Sequence, residues 1–182
     1  MIGVSNSLES LKNSLSTIQS NVTTLQTTAG KIQKTQIFTS SGTWTKPATT
    51  SIAHIFMCGG GGGGGGSTGS GYGASGQNGV VVDGYFSVTT NITITIGAGG
   101  TAAAGQGGVA GGNSSFGSDI VASGGRGGVL ANELRVQYAD KIIGYSSSSV
   151  KYGLGGNGST RNDISYSGSP GIQGICIVTW FE

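Results

Sequence analysis

MCGGGGGGGGSTGSGYG, residues 57–73, sets eight consecutive glycines directly behind SIAHIFMC (51–58), a run that reads as a short buried strand. Three specialised readings of the glycines fail on their neighbours. A phosphate-cradling P-loop needs Lys-Ser/Thr opening a helix after the last glycine. Here Gly66 is followed by Ser67 and Thr68, with no lysine near and no helical pattern. A dinucleotide fingerprint needs strand, G-x-G-x-x-G, helix and a downstream acid. GAGGTAAAGQGG (97–108) follows a strand-like run, but in so glycine-dense a chain that spacing arises by chance. Collagen needs glycine at every third position and abundant proline, and this chain has two prolines.

A flexible linker is the remaining plain reading, and its position argues against it. Strand-like runs stand on both sides of the glycine tracts, so a floppy tract would be a loop inside a core, expensive in entropy. Packing as extended threefold helices avoids this. Chains without side chains approach closely and bond N–H to C=O between neighbours, so no buried backbone group is left unpaired. At roughly 3.1 Å per residue, eight glycines arranged this way span about 25 Å.

Further tracts follow: GAGG (97–100), GQGGVAGG (105–112), GGRGG (124–128) and GLGGNG (153–158). Their spacing is irregular, which excludes a fixed-period solenoid. Between them lie strand signals. TQIFTSSGTWTKP (35–47) reads as a hairpin with a Ser-Ser-Gly turn and a proline stop. VVVDGYFSVT (80–89) and NITITIG (91–97) follow, the latter alternating Ile92, Ile94 and Ile96 with Asn91, Thr93 and Thr95 as a half-buried strand does. SSFGSDIVASGG (114–125) reads as another short hairpin. The closing GIQGICIVTWFE is apolar enough for a central place in a sheet beside residues 51–58.

Residues 4–32 carry a different signal. Val4, Leu8, Leu11, Leu15, Ile18, Val22, Leu25, Ala29 and Ile32 alternate spacings of four and three, an unbroken heptad seam. A helix so rich in Ser, Thr and Asn has poor propensity and needs partners to bury its stripe. Leu rather than Ile at the a positions, with Ile and Leu alternating at d, disfavours a parallel dimer. The flanking e and g positions hold almost no charge to select a different partner, so self-association is expected. The fold class expected is mainly β with packed polyglycine-type segments, preceded by an N-terminal α-helical trimeric coiled coil. The division falls into a stalk (1–34) and a glycine-rich β domain (35–182).

Composition narrows the function. Charged residues make up 9% of the 182 residues, against about 25% in ordinary domains. From residue 35 onward six basic residues balance six acidic ones, a neutral body with no electrostatic footprint for nucleic acid or an anionic membrane. No signal peptide opens the chain and no apolar run approaches a membrane span, so no membrane insertion is expected. Secretion would need another route, such as being built into a particle. Cys58 and Cys176 each sit in a strand-like run and read as buried free thiols. His54 is the single histidine, and with no second one to complete a metal set it reads as a satisfied core or interface residue. The acids are scattered one to a segment, so no catalytic, metal or cofactor site is expected.

Read in order, FTSSGTWTKP, a strand, the octaglycine, ITIGAGG, SSFG, GGRGG and GICIVTWFE resemble the glycine-rich tip domain of phage tail fibres. The resemblance covers residues 36–182, and similar domains occur on trimeric fibres of bacterial surfaces. It implies a homotrimeric receptor-binding tip on a virion tail fibre. The stalk would dock to other tail or baseplate proteins, and the tip would meet a host-surface glycan or outer-membrane protein. A structural connector or cap, or an adhesive tip on a bacterial surface, are the alternatives. Residues 129–152 depart from the family layout in having few glycines and more charge. Eight of the sixteen charged residues lie between Arg126 and Asp163, with Tyr138, Tyr145 and Tyr152 among them and Tyr166 just beyond. Tyr and Arg give contact area and hydrogen bonds at modest entropic cost. Arg135, Tyr138, Lys141, Tyr145, Lys151, Tyr152 and Tyr166 are therefore the expected receptor-binding residues, with trimer packing as the competing role.

Overall fold

The computed structural model describes residues 2–28, 30–68, 72–130, 146–147, 150–159 and 165–182. The chain divides into two compact units, Met1–Lys34 with Phe181–Glu182, and Thr35–Trp180.

The first unit is built on helix α1 (Ile2–Thr28). Every residue from 9 to 23 is exposed, including Leu11, Leu15, Ile18 and Val22 of the heptad seam. The helix stops short of the seam's last member. Gly30 takes a left-handed backbone (φ 115°), which ends the helix and leaves Ile32 beyond it, pairing through its backbone with Glu182.

The second unit begins as a sandwich of two four-stranded sheets. The first has the order β1 (Gln33–Phe38), β12 (Ile175–Phe181), β3 (Ile52–Cys58), β5 (Val81–Ser87). The second has the order β2 (Gly42–Trp44), β6 (Ile92–Thr95), β7 (Ser114–Phe116), β8 (Ile120–Ala122). Alternation sets the inward faces. Phe38, Ala53, Ile55, Met57, Cys176 and Val178 of one sheet meet Trp44, Ile94, Phe116 and Ala122 of the other. Trp44 is fully buried, edge-on to Trp180 at 5.6 Å and tilted against Phe116 at 6.0 Å. The closing strand takes the central place its apolar sequence predicts, with Ile177 opposite Phe56.

Residues 35–47 do not form the expected hairpin. β1 pairs in one sheet while β2 pairs with β6 in the other, Gly42 opposite Ile94. The reason is the core. Phe38 and Trp44 are both buried, so the chain between them must cross from sheet to sheet, and Ser41 Oγ accepts the Ile96 N–H (3.0 Å) where it arrives. The second expected hairpin does form, as β7–β8 turning at Gly117, whose φ of 68° favours glycine.

Beyond the sandwich the strands run on as glycine helices. Residues 59–66 continue β3 and are the centre of an array of seven segments. All eight N–H groups of the central tract donate outward at 2.7–3.1 Å, with a period of three. Gly59, Gly62 and Gly65 donate to Val80, Gln77 and Ala74; Gly60, Gly63 and Gly66 donate to Gly112, Val109 and Gln106; Gly61 and Gly64 donate to Ile172 and Ser169. These three segments run antiparallel to the centre. Three parallel segments donate inward, through Gly100 to Gly61, Gly125 and Gly128 to Gly60 and Gly63, and Gly156 and Ser159 to Gly62 and Gly65. The six close a ring in the order 73–80, 123–129, 106–112, 97–101, 169–174, 153–159, each bonded to both neighbours.

Position in this array dictates how much glycine each segment carries. A Cβ on any central glycine would overlap the backbone of a parallel neighbour: Ser123, Arg126 and Val129 from one set, Ala98, Thr101 and Ala103 from the next, Leu154 and Asn157 from the third. In the parallel ring segments two of three positions face antiparallel neighbours, as Gly124 does Gly111 and Gly125 does Gln77, and the third points out. In the antiparallel segments one position in three faces the centre, as Gly73, Gly76 and Gly79 face Gly65, Gly62 and Gly59. The sequence follows suit: GGG at the centre, x-G-G in SGGRGGV (123–129), and G-x-x in GASGQNG (73–79) and GSPGIQG (168–174). The side chains at the free positions staple the ring. Asn78 Oδ1 accepts from Gly155 N–H (2.9 Å) and Asn113 Oδ1 accepts from Gly124 N–H (2.9 Å).

Candidate functional site

The array gives the second unit two poles. Thr35, in the first half of β1, and Trp180, near the end of β12, lie toward the pole remote from the glycine helices, because both strands run between that pole and the array. At the opposite pole stand the described parts of the connections between glycine helices: Ser67–Thr68 with Tyr72, 102–105, Leu130, and 165–168.

Short pairings anchor these connections. β4 (Ser67–Thr68) pairs antiparallel with β11 (Ser165–Tyr166), placing Ser67 opposite Tyr166. Ser67 is fully buried, and buried Ser159 accepts the Gly73 N–H on its Oγ (3.0 Å). Tyr72 by contrast is 66% exposed. A bulky amphipathic side chain left in water beside a rigid frame has the character of a contact residue.

The expected binding residues distribute unevenly. Arg135, Tyr138, Lys141 and Tyr145 lie outside the described residues. Lys151 is on β10 (Val150–Lys151), which pairs with β9 (Ser146–Ser147). Tyr152 follows it, half-buried, at the sandwich end of the array, where Gly153 accepts from Gly79 N–H and donates to Gln173 C=O. Tyr166 is at the other end, beside the last glycine of the central tract. The full array separates these two tyrosines, about 20 Å at roughly 3.1 Å per residue. They do not share one surface patch. Charge density drew attention to residues 126–163 and passed over 67–72 and 102–105, which carry no charge. The signal that would have found them is that each is bounded by glycine tracts on both sides.

His54 is not a core residue. It stands on the outer face of the first sheet, with its Nε2 2.8 Å from Asp83 Oδ1 and its ring 4.8 Å from that of Tyr85. Among the described residues no three His, Cys, Asp or Glu side chains gather as a metal set would, and no helix is long and apolar enough to cross a membrane.

Cys58 and Cys176 are buried and free. Burial pushes both thiols up, Cys176 to about 12 from 9.0, with nearby Cys58 adding to the effect. A buried neutral thiol is a poor nucleophile. Neither is expected to react with a thiol reagent at pH 8 until the chain is unfolded, which a titration of reactive thiols with and without denaturant reads directly. The pH dependence follows from the raised values. Above pH 9 the unfolded chain releases thiol protons that the folded one retains, so stability falls between pH 9 and 12. Cys176→Ala should lose that part of the slope.

Residues 37–174 match the family model of a glycine-rich domain. Comparison with curated proteins gave no match.

Proposed function

Because the chain belongs to the glycine-rich domain family, its match taking in most of the sandwich and array, we propose that it is the receptor-binding tip of a homotrimeric fibre. The fibre is a virion tail fibre in this reading. The α1 seam forms the parallel trimeric stalk and docks to tail or baseplate proteins, and the β unit carries no catalytic function.

The observation that supports it is the two-pole layout. The chain enters and leaves the β unit at one pole, and the connections between glycine helices are held out at the other. The proposed receptor surface lies at that second pole of the β unit. It contains Tyr72 and Tyr166, and in this reading Arg135, Tyr138, Lys141 and Tyr145, which follow Leu130 in the sequence, contribute to it. The partner is a host-surface glycan or outer-membrane protein. Three weak sites on one stalk bind together far more tightly than one.

Mixing the labelled full-length protein with intact cells of strains the source infects or contacts tests this. Saturable binding is expected, and Tyr72→Ala is expected to weaken it by about tenfold without changing sedimentation or circular dichroism. No saturable binding to any such strain would leave the connector or cap as the reading to adopt.

A further inference from the structure

The two sheets of the sandwich differ on their outer faces. The second presents Thr43, Thr93, Thr95 and Ser115, with Val121 as its apolar exception, as a solvated face does. The first presents a contiguous apolar field. Across it, register places Ile177 beside Phe56, and Thr179 beside His54 beside Tyr85. Thr35 Oγ1 meets Thr179 Oγ1 at 3.2 Å, so Ile37, two residues on, shares this face. Ile37 is 59% exposed, Ile52 56% and Tyr85 73%, with Phe56 and Ile177 half-buried among them. His54 and Asp83 on this face contact each other, Nε2 to Oδ1 at 2.8 Å. An apolar field of this kind is uncommon on a surface that stays in water.

We propose that this outer face, centred on Ile37, Ile52, Phe56, Tyr85 and Ile177, is where the β unit packs against a second copy of itself. The inference rests on the homotrimeric reading and extends it from the stalk to the sandwich. The covalent chain supports the choice of occupant. Four residues separate α1 from β1, so β1 starts within about 17 Å of the stalk's end at roughly 3.4 Å per residue. A three-stranded stalk therefore carries three copies of β1 to the neighbourhood of one axis. β1 is the edge strand of this sheet, and Ile37 on it opens onto the apolar face. Three such faces related by a threefold axis form a closed ring of contacts.

Hydroxyl-radical footprinting of the full-length protein, read beside sedimentation velocity, tests this. The comparison is with a stalk-broken variant, Leu15→Ser with Ile18→Ser. In the assembled protein Tyr85 and Phe56 should label at least about fivefold more slowly than in the dissociated variant, as in the dry core of an interface. Ile37→Glu with Ile52→Glu alters only exposed positions, so the fold should stand while labelling of Tyr85 returns to the free rate. If the wild-type protein sediments as a trimer and Tyr85 labels equally in both proteins, the proposed contact is wrong and the stalk remains. If the wild-type protein sediments as a monomer, the trimeric reading falls and this one with it. A stalk-broken variant that stays trimeric, with Tyr85 protected, supports the face as an interface sufficient alone.

Discussion

Gly62→Val is expected to abolish folding of the β unit. Gly62 is near the middle of the central tract, where a Cβ would overlap the C=O of Arg126 and sit close to that of Gly125. Neither neighbour is a side chain that can swing aside. Both belong to a segment bonded inward to Gly60 and Gly63 and outward to the chains beside it. Making room means parting the ring, which breaks several buried backbone hydrogen bonds, each leaving orphaned groups worth about 1–3 kcal/mol. The total reaches the whole stability of a small domain, about 5–15 kcal/mol. The matched control is Arg126→Val, the same new residue in the same array at a position that points out to solvent. It should leave the melting temperature within a few degrees. Thermal melts of the two variants check this. Equal stability of both would mean that the array does not set the glycine requirement.

This pair of substitutions marks where the sequence could and could not be read. Packed glycine helices follow from the octaglycine's neighbours and from the strands on either side. The exposed seam on α1 and the central place of GICIVTWFE follow from apolar spacing alone. The ring was less visible. Its order depends on which carbonyl each N–H reaches, and glycines lack the side-chain differences that encode partners elsewhere. Even so, the grading GGG, x-G-G, G-x-x is present in the chain, and a count of glycine phase would have put 59–66 at the centre. The hairpin at 35–47 failed for a tertiary reason. Local turn chemistry was right for a reversal, but burying both Phe38 and Trp44 required a crossing between sheets. Sequence proximity misleads in a similar way for two of the expected binding residues: Tyr152 and Tyr166 are close in sequence, and the array between them holds them at opposite ends.

Breaking the seam with Leu15→Ser and Ile18→Ser is expected to convert a trimer into monomers without unfolding the β unit. Both side chains are exposed within the chain, so their loss removes nothing from a single copy's core. In a trimer they would be buried, and each large-to-small change at such a site costs about 2–5 kcal/mol per chain. Sedimentation velocity should show the threefold drop in mass, while the melting transition of the sandwich persists. The functional effect should be larger than either change alone suggests. If binding is avid, losing two of three linked sites should weaken attachment to cells by about a hundredfold or more. An unchanged mass would rule out the seam as the source of assembly.

The unbroken run from Ile52 to Gly66, strand first and glycine helix after, has a mechanical consequence. Tension applied at Ser67 and resisted at Thr35 passes along this run and then sideways through β12 to β1. The hydrogen bonds met on the way lie across the direction of pull. The eight donors of the central tract are thus strained in shear, all at once, whereas a hairpin pulled from one end opens bond by bond. A β unit built this way should hold under a tug along its strands and yield to a force that peels it from the side.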